Sequence, residues 1–153
     1  SDFSKININK LRCNFIGNDC FDSSFTEGYL NDINANNVLD KALSIGERSS
    51  IKINDSIIKD SEIGIVVKDA SNLEIDNVHF KNIKIPIASY IKKEEFGGPM
   101  ISISKMNTKN FKNFLISKDT LFKVEGQLQK TNINSKEIEG MLYGNQFGVK
   151  TKR

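Results

Sequence analysis

The feature that most constrains this 153-residue chain is an apolar alternation that returns at nearly regular intervals. Four tetrapeptides share it, each with two apolar side chains separated by one residue, and they begin at Ser50, Asn72, Met100 and Leu121. Their starts lie 22, 28 and 21 residues apart. An alternation with a period of two is typical of a half-buried β-strand, and its recurrence at similar intervals indicates a repeat architecture.

A second apolar series keeps nearly the same spacing. Leu43, Ile65, Ile87 and Leu115 follow one another in steps of 22, 22 and 28 residues. The two series recur at similar intervals, which favours a repeating unit that contains more than one strand. We therefore predict that Leu43, Ile65 and Ile87 contact one another, in that order, inside the core.

Small polar residues form a third series between the strands. Asp60, Asn82 and Asn110 each follow a lysine, and Asn18 and Asn37 lie near the corresponding place upstream. Asn and Asp tolerate the left-handed backbone of a tight corner, and stacked Asn side chains can hydrogen-bond along a ladder. The series predicts such corners and such a ladder, although the abundance of Asn in this chain is an alternative explanation.

The three series divide the chain into six units, each read as strand, corner, short strand, corner and strand. Parallel strands about 20 residues apart leave no room for helical crossovers, so the chain must coil. We predict an all-β fold, a parallel β-helix of about six coils with an irregular C-terminal cap. The units are 5–28, 29–49, 50–70, 71–99, 100–120 and 121–144.

Length and composition bound the domain organisation. A mass of 17.2 kDa suits one domain, 1–153, with a basic tail at 145–153. We expect it to be a fragment or the mature part of a larger protein. No apolar run reaches the roughly 20 residues of a membrane-spanning helix. Two cysteines and one histidine leave little for a zinc site, so we expect no metal and no cofactor.

The cysteines and the charges permit two further expectations. Cys13 and Cys20 lie seven residues apart in one unit, and we expect them to be buried and free, although the sequence does not decide whether they form a disulfide.

Basic residues outnumber acidic ones after residue 100. No nucleic-acid recognition motif accompanies them, so we do not expect a nucleic-acid partner.

The fourth unit is the longest, and its excess falls at residues 90–99. This segment interrupts the coil between two strands, so we predict a projecting loop. Irregular loops on a rigid scaffold often carry function, and a tolerated, charged insertion is the alternative. The candidate ligand-binding residues of the loop are Tyr90, Lys92, Lys93, Glu94, Glu95 and Phe96.

Acidic residues near the corners are the second candidate site. Aligned units place Asp40 beside Glu62 on the neighbouring coil. Two carboxylates about 5 Å apart can share a proton, hold Ca²⁺ or cleave glycosidic bonds, with Lys41 as a nearby basic group. We favour solvated acids, and a surface ion-pair patch of Asp40 and Lys41 with Glu47 and Arg48.

Four runs, at 17–22, 40–47, 63–69 and 88–98, carry a family resemblance. They resemble right-handed parallel β-helix repeat proteins of the pectate-lyase-like superfamily. More narrowly, they are similar to the β-helix module of bacterial envelope proteins found beside spore-coat-H-like kinase folds. The resemblance covers roughly residues 5–125. It implies a bacterial, extracellular or envelope location and sugar polymers as ligands, and it brings no catalytic residue that can be placed here.

Three functions remain open from the sequence. The first is a non-catalytic module that presents a sheet face and the 90–99 loop to a cell-envelope polysaccharide or a partner protein. The second is a carbohydrate-active enzyme, a lyase or hydrolase that uses Asp40, Glu62 and Lys41. The third is an assembly element whose open coils stack end to end. We favour the first because no nucleophile, base and orienting group converge.

Overall fold

The computed structural model describes residues 3–108 and 110–144. Strands account for 64% of the structure and helix for 6%, which confirms the all-β prediction. The elements are β1 (Ser4–Ile8), β2 (Leu11–Ile16), β3 (Phe21–Ser24), β4 (Thr26–Val38), β5 (Lys41–Gly46), β6 (Ser50–Lys68), β7 (Asn72–Tyr90), β8 (Met100–Met106), β9 (Leu115–Ile116), β10 (Leu121–Val124), β11 (Gln127–Gln129) and α1 (Ser135–Leu142).

The strands wind into a parallel β-helix of about five turns with three faces. The first face stacks β1, β4, β6, β7, β8 and β10 in that order. The second face begins with β2, which pairs with the later half of β4. The third stacks β3, β5, β6, β7 and β9. The long strands β4, β6 and β7 bend across corners and contribute to more than one face.

Apolar side chains stack in columns along the inside of the coil. Leu43 lies opposite Ile65, and Ile65 lies opposite Ile87, which confirms the predicted order. All three side chains are fully buried. The prediction for Leu115 is wrong by one position, because Leu115 pairs with Ala88.

The polar corners are confirmed for three of the five predicted residues. Asn37, Asp60 and Asn82 have φ values of 54°, 49° and 55°. Asn82 Nδ2 also donates a hydrogen bond to Asp60 Oδ1 at 2.8 Å. Asn18 is not in this column, whose first-coil position belongs to Phe15 with a φ of 56°. Lys109, which precedes the predicted corner at Asn110, lies outside the described residues.

An asparagine ladder also forms, at a different corner from the one predicted. Asn31 donates to Asn9 Oδ1 at 2.9 Å, and Asn54 donates to Asn31 Oδ1 at 3.0 Å. The Tyr29 hydroxyl donates to Asn54 Oδ1 at 3.0 Å. The ladder joins three successive coils through side chains that would otherwise need water.

The prediction of a sixth coil in residues 121–144 is wrong. After β10 the chain turns at Glu125 and Gly126, and β11 pairs antiparallel with β10. Helix α1 then packs Ile138 and Leu142 against a second apolar cluster formed with β6 and β7. A hairpin and a helix therefore cap this end. The predicted basic tail at 145–153 lies outside the described residues.

A disulfide joins Cys13 and Cys20, whose Cα atoms lie 6.0 Å apart. This corrects the expectation of free thiols. Cys13 belongs to β2 and Cys20 immediately precedes β3, so the bond closes the corner between these two strands. Within 3–108 and 110–144, no helix is long and apolar enough to cross a membrane.

Candidate functional site

Residues 91–99 form the predicted loop, which several contacts anchor to the solenoid. The backbone N–H groups of Lys92 and Lys93 both donate to the buried Asp69 Oδ1, at 2.7 and 2.8 Å. The Lys93 ammonium forms an ion pair with Glu47, one coil further back. These contacts fix the loop along a column of corners, so its shape is set by the coils beneath it.

The far end of the loop reaches the first coils through an aromatic contact. The ring of Phe96 packs edge to face on Phe25 at 6.2 Å, and Phe25 packs on Phe3 at 6.3 Å. The guanidinium of Arg48 lies 5.2 Å from the centre of the Phe96 ring. Phe96 therefore serves first as an anchor for the loop.

The placement of Tyr90 corrects the sequence prediction. Tyr90 is the last residue of β7 and its side chain is fully buried in the cluster beneath α1. Its hydroxyl donates to the Tyr143 hydroxyl at 3.1 Å. Burial is the main cause that holds the pKa of Tyr90 far above its ordinary range, and the neighbouring Tyr143 raises this pKa further. Tyr90 offers no surface to a ligand on the loop.

Between the loop and α1 lies an open groove of about 1000 Å³, called here the loop–helix groove. The Ser135 hydroxyl at the start of α1 accepts a hydrogen bond from the Ile91 backbone N–H at 2.9 Å, which ties the two walls together. Carboxylates outnumber lysines in its lining. The charged residues of the lining are Lys92, Glu94, Asp119, Lys136, Glu137 and Glu139.

Tyr143 lines the groove and was missed by the sequence prediction. The ammonium of Lys92 lies 4.9 Å from the centre of its ring, and that of Lys41 lies 5.8 Å away. Burial alone raises the pKa of Tyr143. The hydrogen bond from Tyr90 and the charges of Lys68, Lys92 and Lys41 outweigh burial, so this pKa lies below its ordinary value.

Behind Tyr143 lies a buried ion cluster formed by Asp19, Lys41 and Asp40. The Lys41 ammonium is 2.8 Å from Asp40 Oδ1 and 3.3 Å from Asp19 Oδ1. The side chains of Lys41 and Asp40 are only 3% and 5% exposed. Burial raises the pKa of Asp19 even though Lys41 opposes the shift. Lys41 thus pairs with both carboxylates, although its single positive charge balances only one of the two negative charges.

This cluster replaces both predicted arrangements of the acidic residues. Asp40 and Glu62 lie on neighbouring coils, but Glu62 pairs with Lys84 at 3.0 Å and Asp40 pairs with Lys41. Asp40 and Lys41 also do not form a surface patch with Glu47, whose partner is Lys93. In the part of the chain that the structure describes, no three potential ligands converge to hold a metal ion.

The remaining loop residues lie at the surface. Glu94 and Lys92 line the groove, while Glu95 is exposed near the tip of the loop. The groove therefore brings two of the six predicted binding residues together with α1, which the sequence did not connect to them. Its last wall residue, Tyr143, could be found only from the packing of the cap.

Comparison with protein-family models, with curated proteins and with solved structures finds no match to this chain. The fold itself is a β-solenoid, which agrees with the broader part of the resemblance. Any functional inference therefore depends on the fold and on the geometry of the groove.

Gly98 provides a test of how the loop is held. A Cβ atom at Gly98 would overlap the backbone carbonyl oxygen of Asp119, whereas one at Gly97 would meet nothing within 4 Å. We expect Gly98→Ala to lower the free energy of unfolding by about 1–3 kcal/mol, as overpacking does. Gly97→Ala, one residue away, should change it by less than about 0.5 kcal/mol. Urea unfolding measures both, and equal effects would contradict the packing described for this loop.

Proposed function

We propose that this protein is a non-catalytic binding module of the β-helix type, and that its loop–helix groove holds a segment of a cell-envelope polysaccharide. The observation that carries the proposal is the groove itself, about 1000 Å³ in volume and walled by the loop and by the cap helix. Grooves of this size with a few convergent polar groups are the usual form of a ligand site.

The lining suits an uncharged or cationic sugar better than an acidic one. Glu94, Asp119 and Glu139 can accept hydrogen bonds from sugar hydroxyls or from an amino group. Lys92 and Asn134 can donate to ring and glycosidic oxygens. Because carboxylates outnumber lysines, a uronic acid or a phosphate-rich polymer would meet like charge, which opposes binding. We therefore propose neutral or amino-sugar polymers as the ligand class.

The buried ion cluster supports a structural role for Asp40 and Lys41, which the alternative hypothesis of a carbohydrate-active enzyme would use in catalysis. A general acid or base must come within hydrogen-bond reach of its substrate. Asp40 and Lys41 are buried and bonded to each other, and Glu62 on the neighbouring coil is paired with Lys84. These pairings favour binding over hydrolysis or lyase chemistry.

The disulfide supports an extracellular or envelope location, and the resemblance implies the same location in a bacterium. Disulfides persist in oxidising compartments and are rare in the cytosol. The bond between Cys13 and Cys20 closes a corner of the first coil. Membership of the pectate-lyase-like superfamily is part of the same proposal.

The proposal is tested by a glycan array followed by calorimetry with the oligosaccharides that bind. Replacing both Lys92 and Asn134 by Ala removes two donors from opposite walls, and we expect affinity to fall about tenfold or more. Lys52→Ala is the matched control, because Lys52 is an exposed lysine on the first face, away from the groove. Its affinity should stay unchanged.

Three outcomes would contradict the proposal. Affinity that falls equally in both variants would place the site elsewhere. Release of reducing ends or unsaturated sugar during the titration would favour the enzyme. A preference for acidic polymers would contradict the charge argument.

A further inference from the structure

The buried ion cluster holds an amine and two carboxyl groups close enough to react. The Lys41 ammonium lies 2.8 Å from Asp40 Oδ1 and 3.3 Å from Asp19 Oδ1. The Lys41 backbone N–H also donates to Asp19 Oδ1, at 3.2 Å. A nucleophile, a carboxyl group that it can attack and a second carboxyl that can move protons therefore meet at one point.

The backbone fixes Asp19 in front of Lys41. The N–H of Cys20, the next residue, donates to the Lys41 carbonyl oxygen at 3.1 Å, and the disulfide ties Cys20 to Cys13. Groups held at such distances within one molecule react as if they were highly concentrated. The side chains of Lys41 and Asp40 are buried, and a site that excludes water also protects an amide from hydrolysis.

The charges of the cluster favour the loss of one ion pair. With both carboxyls ionised, the cluster carries two negative charges and one positive charge where there is little water to solvate them, which is costly. Burial raises the pKa of Asp19 even though Lys41 opposes the shift. Asp19 is therefore the carboxyl that takes up a proton, and one of its oxygens becomes a hydroxyl that can leave.

We propose that Lys41 and Asp19 condense into an intramolecular amide, so that the buried ion cluster is a site at which the chain modifies itself. Lys41 passes one proton to Asp40, and the neutral amine attacks Cγ of the protonated Asp19. A C–N bond forms and the C–O bond to the hydroxyl breaks. Asp40 protonates the departing hydroxyl and takes the next proton from the nitrogen. The products are one amide, one water molecule and protonated Asp40, and no oxidant or reductant is needed.

The Lys41 backbone N–H assists this step. It lies within hydrogen-bond distance of Asp19 Oδ1, where negative charge develops during the attack, and a donor at that place stabilises the transition state. All the groups that the step needs belong to the cluster. The proposal is therefore independent of the groove and its ligand.

The reaction is slow because the neutral amine is rare. Burial lowers the pKa of Lys41, but the hydrogen bond to Asp40 and the charge of Asp19 outweigh burial and raise this pKa. The newly folded chain therefore holds the ion pair, and the linked chain accumulates with time. The reacting cluster, which Tyr143 covers, needs one proton more than its fully ionised form, so a lower pH speeds the reaction.

Intact mass spectrometry of the full chain, sampled over days at about pH 5 and about pH 8, tests the proposal. The expected result is a species lighter by one water molecule, which accumulates faster at the lower pH. After reduction of the disulfide, trypsin should release residues 13–48 as one peptide instead of 13–41 and 42–48. Cleavage after Lys41 is lost because trypsin needs a free ammonium there.

Two variants and one internal control accompany this experiment. Asp40→Asn keeps the size of the side chain but cannot move protons, and we expect the rate of linkage to fall about a hundredfold or more. Lys41→Arg keeps the positive charge, but its guanidinium does not lose a proton, so no amide should form. Lys84 pairs with Glu62 at 3.0 Å at the surface, and cleavage after Lys84 should continue.

Three outcomes would overturn the proposal. The first is a mass that stays constant at both pH values. The second is a loss of water with cleavage after Lys41 intact, which a cyclic imide at another aspartate would give. The third is an Asp40→Asn variant that links as fast as the wild type. If that variant does not fold, the tryptic digest of the wild type still decides between the linked and the unlinked chain.

Discussion

Lys41→Met is expected to lower the free energy of unfolding by about 3–5 kcal/mol, the range found when one partner of a buried ion pair is removed. Methionine retains most of the length of the lysine side chain, so packing changes little. It leaves Asp19 and Asp40 without the ammonium that lies 3.3 and 2.8 Å from them. Urea unfolding at neutral pH measures the loss.

The loss should depend on pH in a defined direction. Burial already holds the pKa of Asp19 above its ordinary 3.8, and removing Lys41 takes away the charge that opposes this shift. The folded variant therefore binds a proton at a higher pH than the unfolded chain does. Its stability should recover as pH falls through that raised pKa, which unfolding curves between about pH 7 and pH 4 would show.

The wild-type protein should behave differently at alkaline pH. Burial lowers the pKa of Lys41, but the hydrogen bond to Asp40 and the charge of Asp19 outweigh burial and raise this pKa above 10.5. The contribution of Lys41 is thus complete below pH 10.5 and is lost as pH rises through the folded-state pKa. The Lys41→Met variant should lack this alkaline transition.

Lys52→Met is the matched control for the neutral-pH experiment. The Lys52 ammonium lies 3.9 Å from Glu74, and the side chain is 48% exposed. Exposed pairs of this kind contribute about 0–1 kcal/mol. Equal losses in the two variants would contradict the structural role assigned to the buried ion cluster.

The coil could be predicted because its spacing is a local property of the sequence. Residues one turn apart must contact each other in a solenoid. The equal spacing of Leu43, Ile65 and Ile87 in the sequence therefore predicts the register of successive coils. The corners at Asp60 and Asn82 follow for the same reason, since each needs a residue that accepts a positive φ.

The register of Leu115 could not be predicted because it follows a long insertion. The steps before it are 22 residues, and nothing in the sequence fixes how many residues the loop at 91–99 and the segment after β8 consume. A one-residue error in such a case moves every side chain to the opposite face. The structure places Leu115 beside Ala88, one position from the prediction.

The candidate site was harder to predict than the register, because it depends on contacts between segments that are distant in the sequence. Asp40 and Lys41 are adjacent charged residues beside a corner, and local pattern alone favours a solvated pair. The Lys41 ammonium lies 5.8 Å from the Tyr143 ring, which belongs to the far end of the chain. Local pattern likewise groups Tyr90 with the loop, because only the packing of α1 buries its side chain.

Ile65→Ala is expected to lower the free energy of unfolding by about 2–5 kcal/mol, the range for removing a large aliphatic side chain from a core. Ile65 is fully buried between Leu43 of the preceding coil and Ile87 of the next. The rigid backbone ladders on both sides leave little room for collapse, so most of the cavity should persist. Urea unfolding provides the measurement.

Ile57→Ala on the same strand is the control, because Ile57 is 42% exposed and faces outward. Its loss should be below about 1 kcal/mol, since little apolar area returns to water. A comparable loss for both variants would mean that the inner column does not hold the coils together. Because each coil contacts only its neighbours, a cavity at Ile65 weakens the junctions on both sides of it. We therefore expect the Ile65→Ala transition to broaden as well as to shift, whereas the Ile57→Ala transition keeps its slope.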